Sequence, residues 1–229
     1  MATECFAQVR GRVVRVTRLD ACGNPDPGAS AVAVTDNITK VTLEVVTDEG
    51  TNIRIRNFED RVKVKDDAFT DVLGLTMSTT LCLTDPGFIS VLTGQPVVMD
   101  DDGNVVGFDM NTGIDLDTFG FAMEVWSRIP GAGCDPNGHR KWGYTVLPFL
   151  KGGRLEGFSF ENGLVEFSIS GAQTRDGNGW GVGPYDVTRD KNGAPTPLFT
   201  PLGATTVYRN FRVSLDPPAP VCGTFALAS

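Results

Sequence analysis

Lysine and arginine are missing from 62 consecutive residues, Asp66 to Ser127. The same stretch holds eleven carboxylates: Asp66, Asp67, Asp71, Asp85, Asp100, Asp101, Asp102, Asp109, Asp115, Asp117 and Glu124. It therefore supplies the whole negative charge of a chain whose net charge is −8. So acidic a protein has few groups to neutralise phosphate, which argues against a wide grip on nucleic acid. The stretch is also rich in Leu, Val, Ile, Met and Phe, so it is not an acidic disordered tail. Ordered charge of one sign creates a field that partners feel, although the bland role of such charge is solubility.

Histidine is scarce too. His139 is the single one, in the turn-like segment CDPNGHRKWG, where a solvated loop position is expected. One histidine removes the usual general base from most catalytic arrangements. No G-x-S-x-G accompanies it, and no GxxxxGK[ST] phosphate loop is present. The five cysteines, Cys5, Cys22, Cys82, Cys134 and Cys222, form no CxxC, which argues against a zinc or redox motif. No apolar run approaches the roughly 18 residues of a membrane span. The N-terminal MATECFAQVRGRVV has no apolar core behind a basic start, so no secretory signal is expected. Reduced thiols in a cytosolic folding environment follow, with a Cys22–Cys222 or Cys134–Cys222 bridge left open by the spacing. Asp100-Asp101-Asp102-Gly103-Asn104 suggests a calcium loop, yet the EF-hand glycine is absent: its position falls on Val105 counting from Asp100, or on Ile114 counting from Asp109. Carboxylates are plentiful enough for a glycosidase, but no pair stands out. No catalytic, metal or cofactor site is expected.

What the chain does have is period two. Val41, Leu43 and Val45 alternate with Lys40, Thr42 and Glu44, and Ile53 and Ile55 with Arg54 and Arg56. Leu73, Leu75 and Met77, then Phe119, Phe121, Met123 and Val125, then Val165, Phe167 and Ile169 continue the pattern. Each reads as a strand with one face in a core and one face polar. With 27 Gly and 14 Pro marking turns, roughly ten to twelve short strands are expected, a sandwich or barrel number. One helix is expected after Asp85, an N-cap followed by Pro86 and closed by Gly94, with Phe88, Ile89 and Leu92 on its buried face. Two apolar strands around Asp100–Asn104 then form a hairpin that something must cover. Asn162-Gly163 has the spacing of a tight hairpin. Residues 171–201 read as an extended loop whose Trp180, Tyr185 and Phe199 need burial. The tail 216–229 is proline-broken and reads as an arm. A single domain spanning 1–229 is expected, its weakest point near Lys65-Asp66.

The run CLTDPGFISVLTGQPVVMDDDGNVVGFD (82–109) resembles the helix-then-hairpin stretch of major tail tube proteins of long-tailed, siphovirus-type bacteriophages, notably those of actinobacterial hosts. FSFENGLVEFSISGAQT (158–174) is similar to the family's "ENG" hairpin, and ACGNPDPGA (21–29) and GVGPYDV (181–187) to further family segments. The resemblance implies an all-β subunit with one short helix, a β-sandwich or barrel of the tail-tube type with an extended assembly hairpin. It implies homohexameric rings stacked into a hollow virion tube, folded and assembled in the host cytoplasm. DNA would pass through without specific binding. The partners would be further copies, a tape measure and a terminator, with no membrane, enzyme activity or cofactor.

The charge pattern then acquires a physical reason. A lumen lined with carboxylates repels phosphate and offers nothing to hold it, though counter-ions soften the field within about 8 Å. Asp100, Asp101, Asp102, Asp109, Asp115 and Asp117 are the lumen-facing candidates. Val97, Val98, Met99, Val105, Val106 and Phe108 are the candidates for an assembly hairpin. Arg10, Arg12, Arg54 and Arg56, paired by strand period with Arg15 and Arg18 nearby, are the candidates to meet the acids of a neighbouring copy. The competing expectations are another tail or head–tail joining protein, a glycosidase, and a monomeric carbohydrate-binding β-sandwich using Trp126, Trp142 and Trp180 as stacking platforms.

Overall fold

The computed structural model describes residues 5–131, 134, 135, 137–158, 160, 162, 163, 165–176 and 179–227. Its strands are β1 (Val9–Leu19), β2 (Val32–Thr35), β3 (Ile38–Glu49), β4 (Ile53–Arg56), β5 (Val62–Asp66) and β6 (Thr70–Leu81), followed by helix α1 (Pro86–Thr93). There follow β7 (Val97–Met99), β8 (Val105–Phe108), β9 (Gly120–Arg128), β10 (Trp142–Lys151), β11 (Arg154–Leu155) and β12 (Phe167–Thr174). The last are β13 (Thr188–Arg189), β14 (Pro195–Thr196), β15 (Arg209–Val213) and β16 (Val221–Phe225). The protein is all-β with one short helix, as its periodicity predicts. The strands outnumber the expected dozen because several are two-residue pieces that carry no readable period.

One sheet has the order β16-β2-β1-β9-β10-β12-β6-β3, with β15 also on β10 and β11 on β12. Its centre is buried on both faces. Phe121 and Met123 of β9 enter one core with Val16, Leu147, Leu150 and the α1 residues Phe88, Ile89 and Leu92. Ala122 and Trp126, on the other face of β9, enter a second core with Trp142, Tyr144, Trp180, Val187, Leu198 and Leu202. The helix covers the first face and the Gly/Pro-rich loop covers the second. The expectation of one solvated face on β9 is thus corrected: residues 171–201 bring their own apolar side chains to it. Trp180 is buried there and Tyr185 half-buried, whereas Phe199 stays 64% exposed, so its expected burial does not occur.

The helix starts and stops where its caps say. The Asp85 side chain accepts from the Phe88 N–H at 3.1 Å, and Gly94 takes the left-handed conformation at φ 70°. The tail departs from expectation. Val221–Phe225 forms an edge strand on β2, with Val221 opposite Val34 and Phe225 opposite Val32. The prolines end at Pro220, so the residues after it are free to join a ladder. The ladder of β11 with β12 pairs Arg154 with Ser170 and Leu155 with Ile169, and the Glu156 N–H donates to the Ser168 carbonyl, a register centred on the Asn162-Gly163 turn. Glu161 and Leu164, beside that turn, lie outside the described residues.

The feature that departs most from a closed domain is the β3–β6 ladder, running from Ile38 opposite Leu81 to Glu49 opposite Thr70. Its inner half packs on the core through Val41, Leu43, Leu75 and Met77. Its outer half, beyond Val45 and Leu73, has no cover among the described residues, and β4–β5 extends it as a separate ribbon with every residue exposed. The weak point expected at Lys65-Asp66 falls inside this arm.

Candidate assembly surfaces

Strands β7 and β8 form the predicted hairpin, Val97 pairing with Phe108 and Val98 with Gly107. One face is covered by its own chain: Phe108 meets Phe167 edge-on at 5.9 Å, and Val97 and Val105 are half-buried. Val98, Met99 and Val106 are exposed. The turn between the strands uses Asp100 as a clasp. The Asp100 N–H donates to the Asn104 carbonyl at 2.9 Å, and Asp100 Oδ1 accepts from the N–H groups of Asp102 and Asn104 at 3.0 and 2.7 Å. Asp100 Oδ2 accepts from Asn104 Nδ2 at 3.0 Å. Those bonds, the Asn104 side chain foremost and its backbone N–H next, hold the carboxyl below its ordinary range. The fourth position needs positive φ, supplied by Gly103 at 81°.

The same clasp recurs. Asp20, Asp135 and Asp190 each accept from the backbone N–H groups two and four residues on, with Gly23, Gly138 and Gly193 in the left-handed position. Asn57 does so with Asp60 at φ 60°. Each is a three-residue hairpin loop closed by a left-handed residue. D-x-x-G was legible in the sequence as the signal of this turn. His139 completes one copy, its Nδ1 lying 3.0 Å from Asp135 Oδ2, so it is a half-buried turn residue.

The eleven carboxylates of the cation-free stretch therefore divide. Asp101, Asp102, Asp109, Asp115 and Asp117 are exposed. Asp115 Oδ1 accepts from the Asp117 N–H at 2.9 Å, and Asp117 lies 4.0 Å from Arg175. Two acids are inside: Asp85, which caps α1, and Glu124. Arg15 Nε and Nη2 donate to Glu124 Oε2 and Oε1 at 2.5 and 2.7 Å. Tyr144 Oη donates to Glu124 Oε1 at 2.6 Å. The Arg15 guanidinium stacks 3.6 Å from the Tyr185 ring centre and 5.1 Å from that of Trp126. Burial depresses the Arg15 pKa, but the Glu124 charge and hydrogen bond outweigh it and the net direction is upward. Burial and then the Glu124 charge push the Tyr144 phenol well above its ordinary value. This pair joins residues 109 apart in sequence. Only the placement of Glu124 and Arg15 among the apolar residues of β9 and β1 could have hinted at it.

The predicted cations scatter. Arg54 and Arg56 lie on the exposed ribbon, Arg56 paired with Asp60 at 3.2 Å. Arg10 and Arg12 are exposed at the start of β1, where register shifts at Gly11 and a left-handed Arg10 at φ 53° break the simple strand period. They line a groove of about 480 Å³ with Lys40, Asp36, Ile38 and Val125. This groove separates β1 from β3, which share no ladder. Arg10 also joins Arg128 and Arg140 around Ile129, Pro130 and Gly131 in a cavity of about 620 Å³. That second cation cluster is assembled by topology, and no linear motif announces it.

Among the described residues, no group of three or more His, Cys, Asp or Glu is placed to hold a metal ion, and the five thiols are free. Trp126, Trp142 and Trp180 are 2%, 8% and 4% exposed. None offers a face for a sugar to stack on, which removes the feature behind the carbohydrate-binding expectation. No described helix is long and apolar enough to cross a membrane. Compared with known proteins, the chain matches no family model, and no curated protein is significantly similar to it.

Proposed function

We propose that the chain is a self-assembling structural subunit of a bacteriophage tail tube, forming stacked hexameric rings around a bore for DNA. The observation that carries the self-assembly reading is the arm spanning residues 45–73. It exposes Val45, Ile53, Ile55, Val62, Val64, Phe69, Val72 and Leu73, and Phe58 stands fully in solvent at its tip. A two-stranded ribbon has marginal stability in water by itself. Open edges and apolar side chains on such a ribbon call for a partner chain. The arm acts beside the 97–108 hairpin, whose Val98, Met99 and Val106 remain exposed for a partner chain. The likeness of 82–109 and 158–174 to tail tube segments supports the virion setting. The exposed Asp101, Asp102, Asp109, Asp115 and Asp117, in a stretch without lysine or arginine, suit a wall past which a polyanion slides.

The test is a chain in which residues 50–68 are replaced by a short Gly-Asn turn joining Glu49 to Phe69. Light scattering and negative-stain electron microscopy of this variant and the parent decide the matter. The parent is expected to form rings or hollow filaments and the variant to remain a folded monomer. A parent that stays monomeric at every concentration and salt, or a variant that still forms tubes, rejects the reading.

A further inference from the structure

Strands β2 and β3 are one run of chain that changes partners. Val32–Thr35 pairs with β1, from Thr17 opposite Val32 to Val14 opposite Thr35. After Asp36 and Asn37 the chain crosses to β6, beginning with Ile38 opposite Leu81. Strands β1 and β3 therefore diverge from Val14 and Thr35 as the two sides of a notch. Among the described residues, residues 9–13 of β1 pair only with β9, and β3 pairs only with β6. Each strand thus presents an unpaired backbone edge toward the groove of about 480 Å³ between them.

The groove has an apolar floor and a cationic rim. Ile38, Val41 and Val125 are half-buried, pack against the first core and line the groove. Arg10, Arg12 and Lys40 line it too and are exposed, against one carboxylate, Asp36, at the apex beside Thr35. Among the described residues no carboxylate lies within ion-pair distance of Arg10, Arg12 or Lys40. The two arginines owe their place to the backbone. Val9, Gly11 and Val13 stand opposite Arg128, Ser127 and Trp126, so Arg10 and Arg12 are the residues the register skips. Such bulges re-aim side chains at a sheet edge. Arg10 adopts φ 53° to make its bulge, a conformation unfavourable for a residue with a Cβ and of a kind that gathers at ligand clamps. A Cβ on Gly11, between the two, would meet nothing within 4 Å, so there is open space beside the bulged segment.

We propose that this notch is a strand-addition site for a partner protein: an extended segment alternating apolar and acidic residues inserts between β1 and β3 and hydrogen-bonds to both edges. Main-chain bonds supply affinity in such sites, and alternate side chains supply specificity. Successive side chains of an extended segment point to opposite faces. One set therefore extends the floor of Ile38, Val41 and Val125, and the other carries carboxylates to Arg10, Arg12 and Lys40. The same cations bar a basic strand and select an acidic one. The partner's extended form follows from the two free ladders, and its charge from the unpaired rim. The site goes beyond the assembly reading and does not depend on it.

Fluorescence anisotropy of a labelled peptide tests it. The probe is about seven residues of alternating glutamate and valine, long enough to follow the free edge of β1. Three control peptides share its length: lysine in place of glutamate, serine in place of valine, and the original with alternate backbone nitrogens methylated. The parent is expected to bind the probe at least about tenfold more tightly than each control, because each control removes the charge match, the apolar contact or the ladder bonds. Arg12→Glu/Lys40→Glu, at two exposed positions, is expected to weaken binding at least about tenfold. Salt raised to about 500 mM is expected to weaken it as well. Folding is checked by urea unfolding, and if the reversed variant does not fold, Arg12→Gln/Lys40→Gln replaces it with a several-fold loss expected. A parent that ignores the probe, a control that binds as tightly, or a folded variant that binds like the parent overturns the proposal. Light scattering on the same samples detects the rival occupant. A reversed variant that loses self-association, while the dilute parent ignores the probe, makes the notch a contact between copies and overturns the partner site. None of these results touches the arm-mediated reading, which stands or falls on tube formation by the parent and its arm-shortened variant.

Discussion

Replacing Arg15 by methionine probes the buried pair that anchors the second core. Methionine keeps much of the stem's volume and removes the guanidinium. The Glu124 carboxylate, 1% exposed at its side chain, would keep the Tyr144 hydroxyl and lose both charge-assisted bonds. Breaking a buried pair from one side costs roughly 3–5 kcal/mol, because a charge is left without compensation. The loss of stacking on Tyr185 and Trp126 adds to it. For a chain of this size, that corresponds to a fall in Tm of roughly 6–20 °C. Glu124→Gln is expected to lose a similar amount, since it strands the Arg15 charge. The triple change Arg15→Met/Glu124→Leu/Tyr144→Phe removes every charge and hydroxyl of the cluster. It is expected to recover most of the loss, because a well-packed apolar replacement of a buried pair is often neutral. Urea unfolding, read as a thermodynamic cycle, measures all of these. If Arg15→Met unfolds within about 1 kcal/mol of the parent, or if the triple variant is as unstable as the single one, the stranded-charge reasoning is refuted.

Asp85→Ala is expected to cost about 1 kcal/mol by removing the N-cap of an eight-residue helix, measured by urea unfolding with far-ultraviolet circular dichroism. Stability is also expected to fall at both extremes of pH. Asp20 and Asp100 are held below their ordinary 3.8 by hydrogen bonds from Asn24 and Asn104. Their stabilisation is complete above that value and is lost as pH falls through their lower folded values. Asp100→Ala should flatten the acid limb, and an unchanged limb would count against the clasp. Tyr185 is pushed up to about 12 by burial, with Tyr144 raised as well. Their contribution is therefore complete below pH 10 and declines as pH rises through the folded values. Tyr185→Phe should reduce that alkaline loss in a thermal denaturation series.

The sequence discloses the local elements of this protein better than their assembly. Period two places β3, β6, β9 and β12, and Asp85, Pro86 and Gly94 place the helix within a residue, because caps and alternation are short-range physics. The second layer is invisible locally. Ala122, Glu124 and Trp126 look like the wet face of a strand until residues 180–202 fold across them. The acidic stretch reads as one surface, yet Glu124 is neutralised inside by an arginine 109 residues away. The arm was hidden for the opposite reason. Ile53, Ile55, Val62 and Val64 alternate like any amphipathic hairpin, and nothing in their spacing says that the described residues supply no core for them. The second cation cluster escaped because it gathers Arg10, Arg128 and Arg140 from three separate segments.

The amino-terminal strand has its longest ladder with β9, from Val9 opposite Arg128 to Leu19 opposite Gly120. During synthesis, Val9–Leu19 leaves the ribosome more than a hundred residues before that partner exists. Until then it can pair only with the short β2, and the Arg15 guanidinium remains in water. The clasped hairpins close within five residues each, on the microsecond scale of such loops. Long-range ladders such as that of β1 with β9, with their loop-closure entropy, are the slower steps of folding. The Arg15–Glu124 pair therefore comes into being only once β9 has been made and has paired with this strand.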